Sequence, residues 1–198
     1  GRALTELLAS DEKPDFAVVE VSSYQLELPG GLQPTAAAVL NLAPDHLGRH
    51  GTMGNYAKTK TSLFQNMNAK AFAALPKSTT SNPEGLLQHG DTQAQPIWLD
   101  GEPGVDRNGD QLEFRGTPDD GRLSMKGLSL LGEHNRDNAS AAALLCVCAG
   151  VPRKKLDFSV LTALPHRLQR HVDARRRRDQ PARAAHLRQA VRHAARAR

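Results

Sequence analysis

Three ionisable side chains stand where an α/β fold would bring them together. Glu20 lies near the end of the apolar run Phe16–Val21, His46 follows a second such run (Thr35–Leu42) in Leu42-Ala43-Pro44-Asp45-His46, and Lys60 comes one helical turn after Tyr56. In open α/β sheets ligands gather outside the carboxyl ends of the strands, so Glu20 and His46 are expected to face one crevice. Lys60 shares an apolar helix face with Tyr56, where a bare ammonium is costly. A carboxylate, an imidazole and an unusual lysine together suggest a divalent-metal site. Mg²⁺ prefers oxygen, which makes Glu20 the natural ligand and His46 the unexpected one. Each residue also has a plainer reading: Glu20 as a cap or an arginine partner, His46 as a satisfied loop histidine, Lys60 as a stem snorkelling to solvent.

The elements that must position these groups follow from hydrophobic periodicity. Residues 3–10 read as the end of a helix closed before Pro14, and Phe16–Val21 and Thr35–Leu42 read as strands covered on both faces. Residues 54–66 read as a helix, residues 69–75 as a third buried strand, and Pro76 to Asp120 as turn-rich sequence with a hairpin at Asn108-Gly109-Asp110. A helix is expected from about Asn135 to Ala149, stopped by Gly150 and Pro152, and another over Arg153–Leu164. Strands alternating with helices imply an α/β domain with a largely parallel sheet. No apolar run approaches the roughly 18 residues of a membrane span.

Charge divides the chain unevenly. Of the net +5 over 198 residues, the stretch His166–Arg198 carries +9, from eleven Arg against Asp173 and Asp179, which leaves −4 on the rest. Any nucleic-acid contact is therefore confined to the tail, where no aromatic residue interleaves the arginines to stack on bases. The two cysteines, Cys146 and Cys148, point in different directions around a helix, which suits inert buried thiols in a reducing compartment rather than a disulfide or a metal pair.

Five ordered motifs carry a resemblance. Glu20-Val21-Ser22-Ser23-Tyr24-Gln25-Leu26-Glu27, Asn41-Leu42-Ala43-Pro44-Asp45-His46-Leu47-Gly48-Arg49-His50, Tyr56-Ala57-Lys58-Thr59-Lys60, Gly132-Glu133-His134-Asn135-Arg136-Asp137-Asn138 and Leu164-Pro165-His166-Arg167 resemble, at matching spacing, segments of the Mur ligase family, most closely its D-glutamate-adding branch. The folylpolyglutamate synthase branch shares the architecture, but the SSYQLE segment argues against it. The resemblance covers residues 1–168 as a central ATP- and Mg²⁺-handling domain. It implies an ATP-dependent amide ligation in which the carboxylate of UDP-N-acetylmuramoyl-L-alanine is phosphorylated and then attacked by D-glutamate. In that reading Glu20, His46 and a carbamylated Lys60 act as catalytic and metal-holding groups, and Ser22, Ser23 and Gln25 contact the UDP-sugar. Asn135 and Asn138 meet the adenine of ATP, with helix capping as their plainer role, and Arg167 steadies the phosphates. The resemblance also implies a monomer with no membrane partner, in a bacterial cytoplasm or a plastid.

Departures from the family pattern frame further expectations. No G-x-x-x-x-G-K-[ST] phosphate loop occurs in the sequence, and Gly1 resembles the last residue of the G-N-I-G that accompanies such a loop. The chain is therefore expected to be a fragment, inactive alone, whose residues 169–198 are a disordered or frameshifted basic tail. The rival expectation is a retired ligase domain that binds nucleic acid nonspecifically through that tail. Because nine net charges and few apolar groups bury too little surface to offset ordering entropy, deleting residues 170–198 should move the thermal midpoint by no more than about two degrees. A large drop in a calorimetric melt would make the tail a native part of the fold.

Overall fold

The computed structural model describes residues 14–28, 30–78 and 92–162. A six-stranded sheet organises them: β1 (Ala36–Ala38), β2 (Phe72–Leu75), β3 (Gln95–Trp98), β4 (Gly104–Asn108), β5 (Gln111–Arg115) and β6 (Gly121–Ser124), side by side in that order. Strands β1 to β4 run parallel, and β4, β5 and β6 form an antiparallel meander. The helices are α1 (Ser23–Leu26), α2 (Leu47–His50), α3 (Met53–Thr61), which runs on into a 3₁₀ turn at Ser62–Phe64, and α4 (Glu133–Cys148).

Side chains alternate across a strand, so a sheet buried on both faces needs apolar residues at every position. Ala37, Val39, Ala73, Leu75 and Trp98 look to one face, where Phe64 and Met67 cover them. Ala74, Ile97, Val105, Leu112 and Phe114 look to the other, beneath Ala139, Ala143, Leu144 and Val147 of α4. Alanines on both sides of that second contact let α4 lie close, and alanine is also the strongest helix former. Thr52 caps α3 by accepting from the Asn55 N–H at 3.1 Å. The end of α4 is closed by Gly150 N–H donating to Val147 and Val151 N–H donating to Cys146, both at 2.9 Å. As expected, both cysteines are buried free thiols, and burial pushes each up to about 12.

Several expectations are corrected. Phe16–Val21 forms no strand: Val19 is 45% exposed, while Phe16 and Val18 rest against Cys146 and Val151. Among the described residues β1 pairs only with β2, so nothing offers this segment a ladder. The second run narrows from Thr35–Leu42 to Ala36–Ala38, and the third to Phe72–Leu75. The loose stretch from Pro76 contains the expected hairpin, as β4 and β5, and besides it the unforeseen strand β3. In place of a helix over 153–164 there are 3₁₀ turns at Arg153–Lys155 and Phe158–Val160. There Asp157 accepts from the Ser159 N–H at 2.9 Å, and the Arg153 guanidinium is drawn to the Asp120 carbonyl at 3.1 Å and to Asp119 at 3.7 Å. The helix expected over residues 3–10, Arg167 and the basic tail lie outside the described residues. Among the described residues no helix is long and apolar enough to cross a membrane.

Two glycines carry turn geometry. Gly109 sits at φ 58° in the two-residue hairpin between Asn108 and Gln111, with open space where a Cβ would go. Gly104 sits at φ 149° where β4 meets β3, and a Cβ there would run into the Trp98 carbonyl. Gly109→Ala should therefore cost only the left-handed backbone penalty, about 1 kcal/mol. Gly104→Ala adds a collision with backbone and should cost at least about 3 kcal/mol. Equal losses in urea denaturation would contradict this account of the β3–β4 junction.

Candidate functional site

The short α1 is built by its own ends. Ser22 Oγ accepts from the Gln25 N–H at 3.3 Å, and Gln25 Oε1 accepts from the Ser22 N–H at 2.9 Å and from Ser22 Oγ–H at 2.8 Å. This reciprocal capping box fixes the start of the helix. Two of the three residues expected to touch a substrate thus hold the helix as well. The third, Ser23, is buried, and one turn on from it Glu27 ends the helix.

His50, at the end of α2, joins this turn to the rest of the domain. Its imidazole is almost wholly enclosed, with Nε2 3.1 Å from Ser23 Oγ and Nδ1 3.5 Å from Glu27 Oε1. Its neighbour Arg49 donates Nε to both Glu27 oxygens at 3.0 Å and Nη2 to Oε2. The Arg49 hydrogen bond holds the Glu27 carboxyl below the usual carboxylate range, and the pair in turn raises Arg49. Around His50 lie the Tyr24 ring at 6.1 Å and the Tyr56 ring at 5.2 Å.

The three groups expected to hold a metal meet this cluster unequally. His46 stands just ahead of α2 with left-handed backbone (φ 52°), its N–H donating to Asp45 Oδ1 at 2.8 Å and its Nε2 3.2 Å from Asp45 Oδ2. A histidine in that conformation is uncommon, and such strain concentrates at functional sites. Its ring meets the Tyr24 edge at 5.1 Å. Lys60 Nζ donates to the Asn41 carbonyl at 3.4 Å and lies 4.9 Å over the Tyr56 ring, which satisfies the ammonium without a carboxylate. His46 and Lys60 thus flank His50, each through one tyrosine. Glu20 is exposed, two residues ahead of Ser22. Among the described residues no three His, Cys, Asp or Glu side chains gather to hold a metal. With an ammonium at Lys60, the unmodified residues do not fit Mg²⁺.

A second polar group lies at the start of α4. Asn138 is 3% exposed and its Nδ2 has no hydrogen-bond partner in the structure; the same holds for Oδ1 of Asn135, whose Nδ2 donates to the Leu131 carbonyl at 2.6 Å. Buried polar atoms are nearly always satisfied, so such a pair marks a place where a ligand edge would complete the bonding. Neither side chain caps the helix, whose N-cap is Gly132. Arg107, from β4, braces this end through Glu133 and Asp137, each at 2.8 Å.

Sequence reasoning passed over His50, Glu27 and Arg49. The signal was available: Ser23 and Glu27 are four apart, which puts a hydroxyl and a carboxylate on one face of a helical turn. The depressed Glu27 carboxyl gives a signed pH dependence. A native pKa below the unfolded value means that the stabilisation is complete above about pH 4.3 and is lost as pH falls through the native value. Glu27→Gln should lower the thermal midpoint at pH 7, and the gap to the unsubstituted protein should close in melts toward pH 3. A gap that persists at pH 3 would show that charge is not the cause.

Comparison with known proteins places this arrangement in a family. The family model for the Mur ligase middle domain matches residues 3–146. The UDP-N-acetylmuramoylalanine--D-glutamate ligase of Myxococcus xanthus is 34% identical over 181 residues, 85% of this chain and 39% of that protein. The protein of the same name from Chelativorans sp. is 36% identical over 158 residues, 77% of this chain and 34% of its own length. A crystal structure of MurF from Acinetobacter baumannii aligns with TM-score 0.45 and 20% identity, over 66% of this chain and 28% of its own. The chain thus spans well under half the length of the curated relatives it matches. With its middle-domain match spanning most of its length, the chain belongs to the Mur ligase family.

Proposed function

We propose that this chain is the middle part of an ATP-dependent ligase that joins D-glutamate to UDP-N-acetylmuramoyl-L-alanine in peptidoglycan precursor synthesis. The observation that carries the reading is the 34% identity, over 85% of the chain, to a protein of that name. In the reaction an oxygen of the acceptor carboxylate attacks the γ-phosphorus of ATP and expels ADP. The amine of D-glutamate then attacks the acyl carbon, loses a proton and expels phosphate.

In this reading the cluster of Ser22, Ser23 and Gln25 with His46 and Lys60 faces the acceptor. Hydroxyls, an amide, an imidazole and an amine suit a ligand rich in hydroxyl, amide and carboxylate groups. Glu20 belongs to the same set by position in the chain. A Mg²⁺ bound by Glu20 and His46 requires Lys60 to be carbamylated first, which turns a cation into an anionic oxygen ligand. Asn135 and Asn138 meet the adenine edge, supported by one acceptor and one donor that lack partners. Arg167 would steady the phosphates, and the setting is a bacterial cytoplasm.

The nucleotide part has a test in which stability and binding move apart. Leucine keeps the branched heavy-atom shape of Asn138 and removes its unpartnered amide. The loss of a bare buried donor offsets the crowding by a larger side chain, so Asn138→Leu should leave the thermal midpoint little changed. The same change should weaken ATP binding by about tenfold in an NMR titration, equivalent to one lost hydrogen bond from a buried donor. Unchanged ATP affinity would remove Asn138 from the site. The chain alone should release no phosphate with ATP, UDP-N-acetylmuramoyl-L-alanine and D-glutamate; turnover abolished by Lys60→Ala would show that it is catalytically complete.

A further inference from the structure

His50 has both ring nitrogens committed inside the protein, and the chemistry of its partners fixes which one carries the proton. Glu27 is held as a carboxylate by Arg49, with Nε at 3.0 Å from each oxygen. A carboxylate repels a bare nitrogen lone pair and attracts an N–H, so the nitrogen facing it, Nδ1 at 3.5 Å, is the one that carries the hydrogen. In a neutral ring that leaves Nε2 bare. Ser23 Oγ, 3.1 Å away, is then the donor in their hydrogen bond. The other groups around the ring are Tyr24 and Tyr56, and beyond Tyr24 lies His46. Across the ring from Ser23, Arg49 balances the Glu27 charge and also sits 5.0 Å over the Tyr24 ring.

We infer that His50 is a positioning residue: it ties up the Ser23 hydroxyl proton and so presents Ser23 Oγ to a bound ligand as a hydrogen-bond acceptor only. The ligand group selected at this point is an N–H or O–H donor, such as an amide N–H or a sugar hydroxyl, and a carboxylate or phosphate oxygen is turned away. The inference rests on the proposed acceptor role for the identity of that ligand, but not for the direction of the hydrogen bonds. A buried donor–acceptor chain of this kind also keeps the serine rotamer fixed before the ligand arrives, which lowers the ordering cost of binding.

The intact chain provides the test. With ¹⁵N-labelled histidine at about pH 7.5, long-range proton–nitrogen correlation should show His50 neutral, with hydrogen on Nδ1 and a bare Nε2. Glu27→Ala should release that tautomer into a mixture. A ring protonated on Nε2, or a tautomer indifferent to Glu27→Ala, overturns the inference without any ligand. A double-mutant cycle for UDP-N-acetylmuramoyl-L-alanine binding, read by calorimetry, then separates the two proposals. His50→Phe alone should weaken binding about three- to tenfold, the loss of one net hydrogen bond. The same change in a Ser23→Ala background should cost nothing more, because its effect passes through Ser23. Additive losses overturn the inference. Absence of binding by the unsubstituted chain defeats the acceptor reading instead, and the tautomer measurement still decides the hydrogen-bond direction.

Discussion

An imidazole with 7% of its residue surface open to solvent needs a matched partner at each nitrogen, and His50 has them in Ser23 and Glu27. Much of the polar site follows from that requirement. Glu27 reaches the ring because α1 carries the chain through about one turn after Ser23, and α1 exists as a four-residue helix because Ser22 and Gln25 cap each other. Arg49, next to His50, supplies the charge that makes Glu27 an acceptor. Two segments separated by some twenty residues, with β1 between them in the chain, are thereby cross-linked through side chains.

The sheet supplies the other half of the constraint. Ala37 and Ala73 are buried on one face of the sheet and Ala74 on the other, and residues this small leave room for helices on both sides. Leaving β1, the chain passes through Asn41, whose carbonyl meets Lys60, and turns at left-handed His46 into α2. The Tyr56 ring, on α3, then lies between His50 and Lys60. His46, His50 and Lys60 are thus placed by one loop and two short helices, and the aromatic rings between them set the spacing. Such a frame keeps the three nitrogen-bearing side chains near one another without direct contact.

What could be read from the sequence depended on whether the deciding interaction was local. The hairpin at Gly109 was legible because turn chemistry is written into two residues, and α4 because a run of small, mostly apolar residues from Ala139 to Cys148 leads to a glycine stop at Gly150. The Ser22–Gln25 box has an equally local signature, a serine with a glutamine three residues on, but the stretch reads at first only as a polar connection between strands. Phe16–Val21 misled because a β-branched run reports tolerance for burial, and only a neighbouring strand confers it. The stretch after Pro152 misled because Arg153 finds its partners at Asp119 and Asp120, more than thirty residues back. Cross-chain partners of that kind have no local signature.

The same distinction explains why the site was read in part. Among the expected residues, His46 and Lys60 drew attention by type, as polar groups at strand and helix ends, whereas Ser23 and the two asparagines entered only through the resemblance. His50 was not visible, since a histidine following an arginine before a glycine looks like a surface helix end. Its importance lies in enclosure, which arises only when α1, α2 and α3 pack around it. A buried polar side chain of this sort contributes less to stability than to uniqueness: it has one arrangement in which both nitrogens are satisfied, and any slip of α1 against α2 leaves one of them bare. The register between α1 and α2 is therefore set by polar partners as well as by packing.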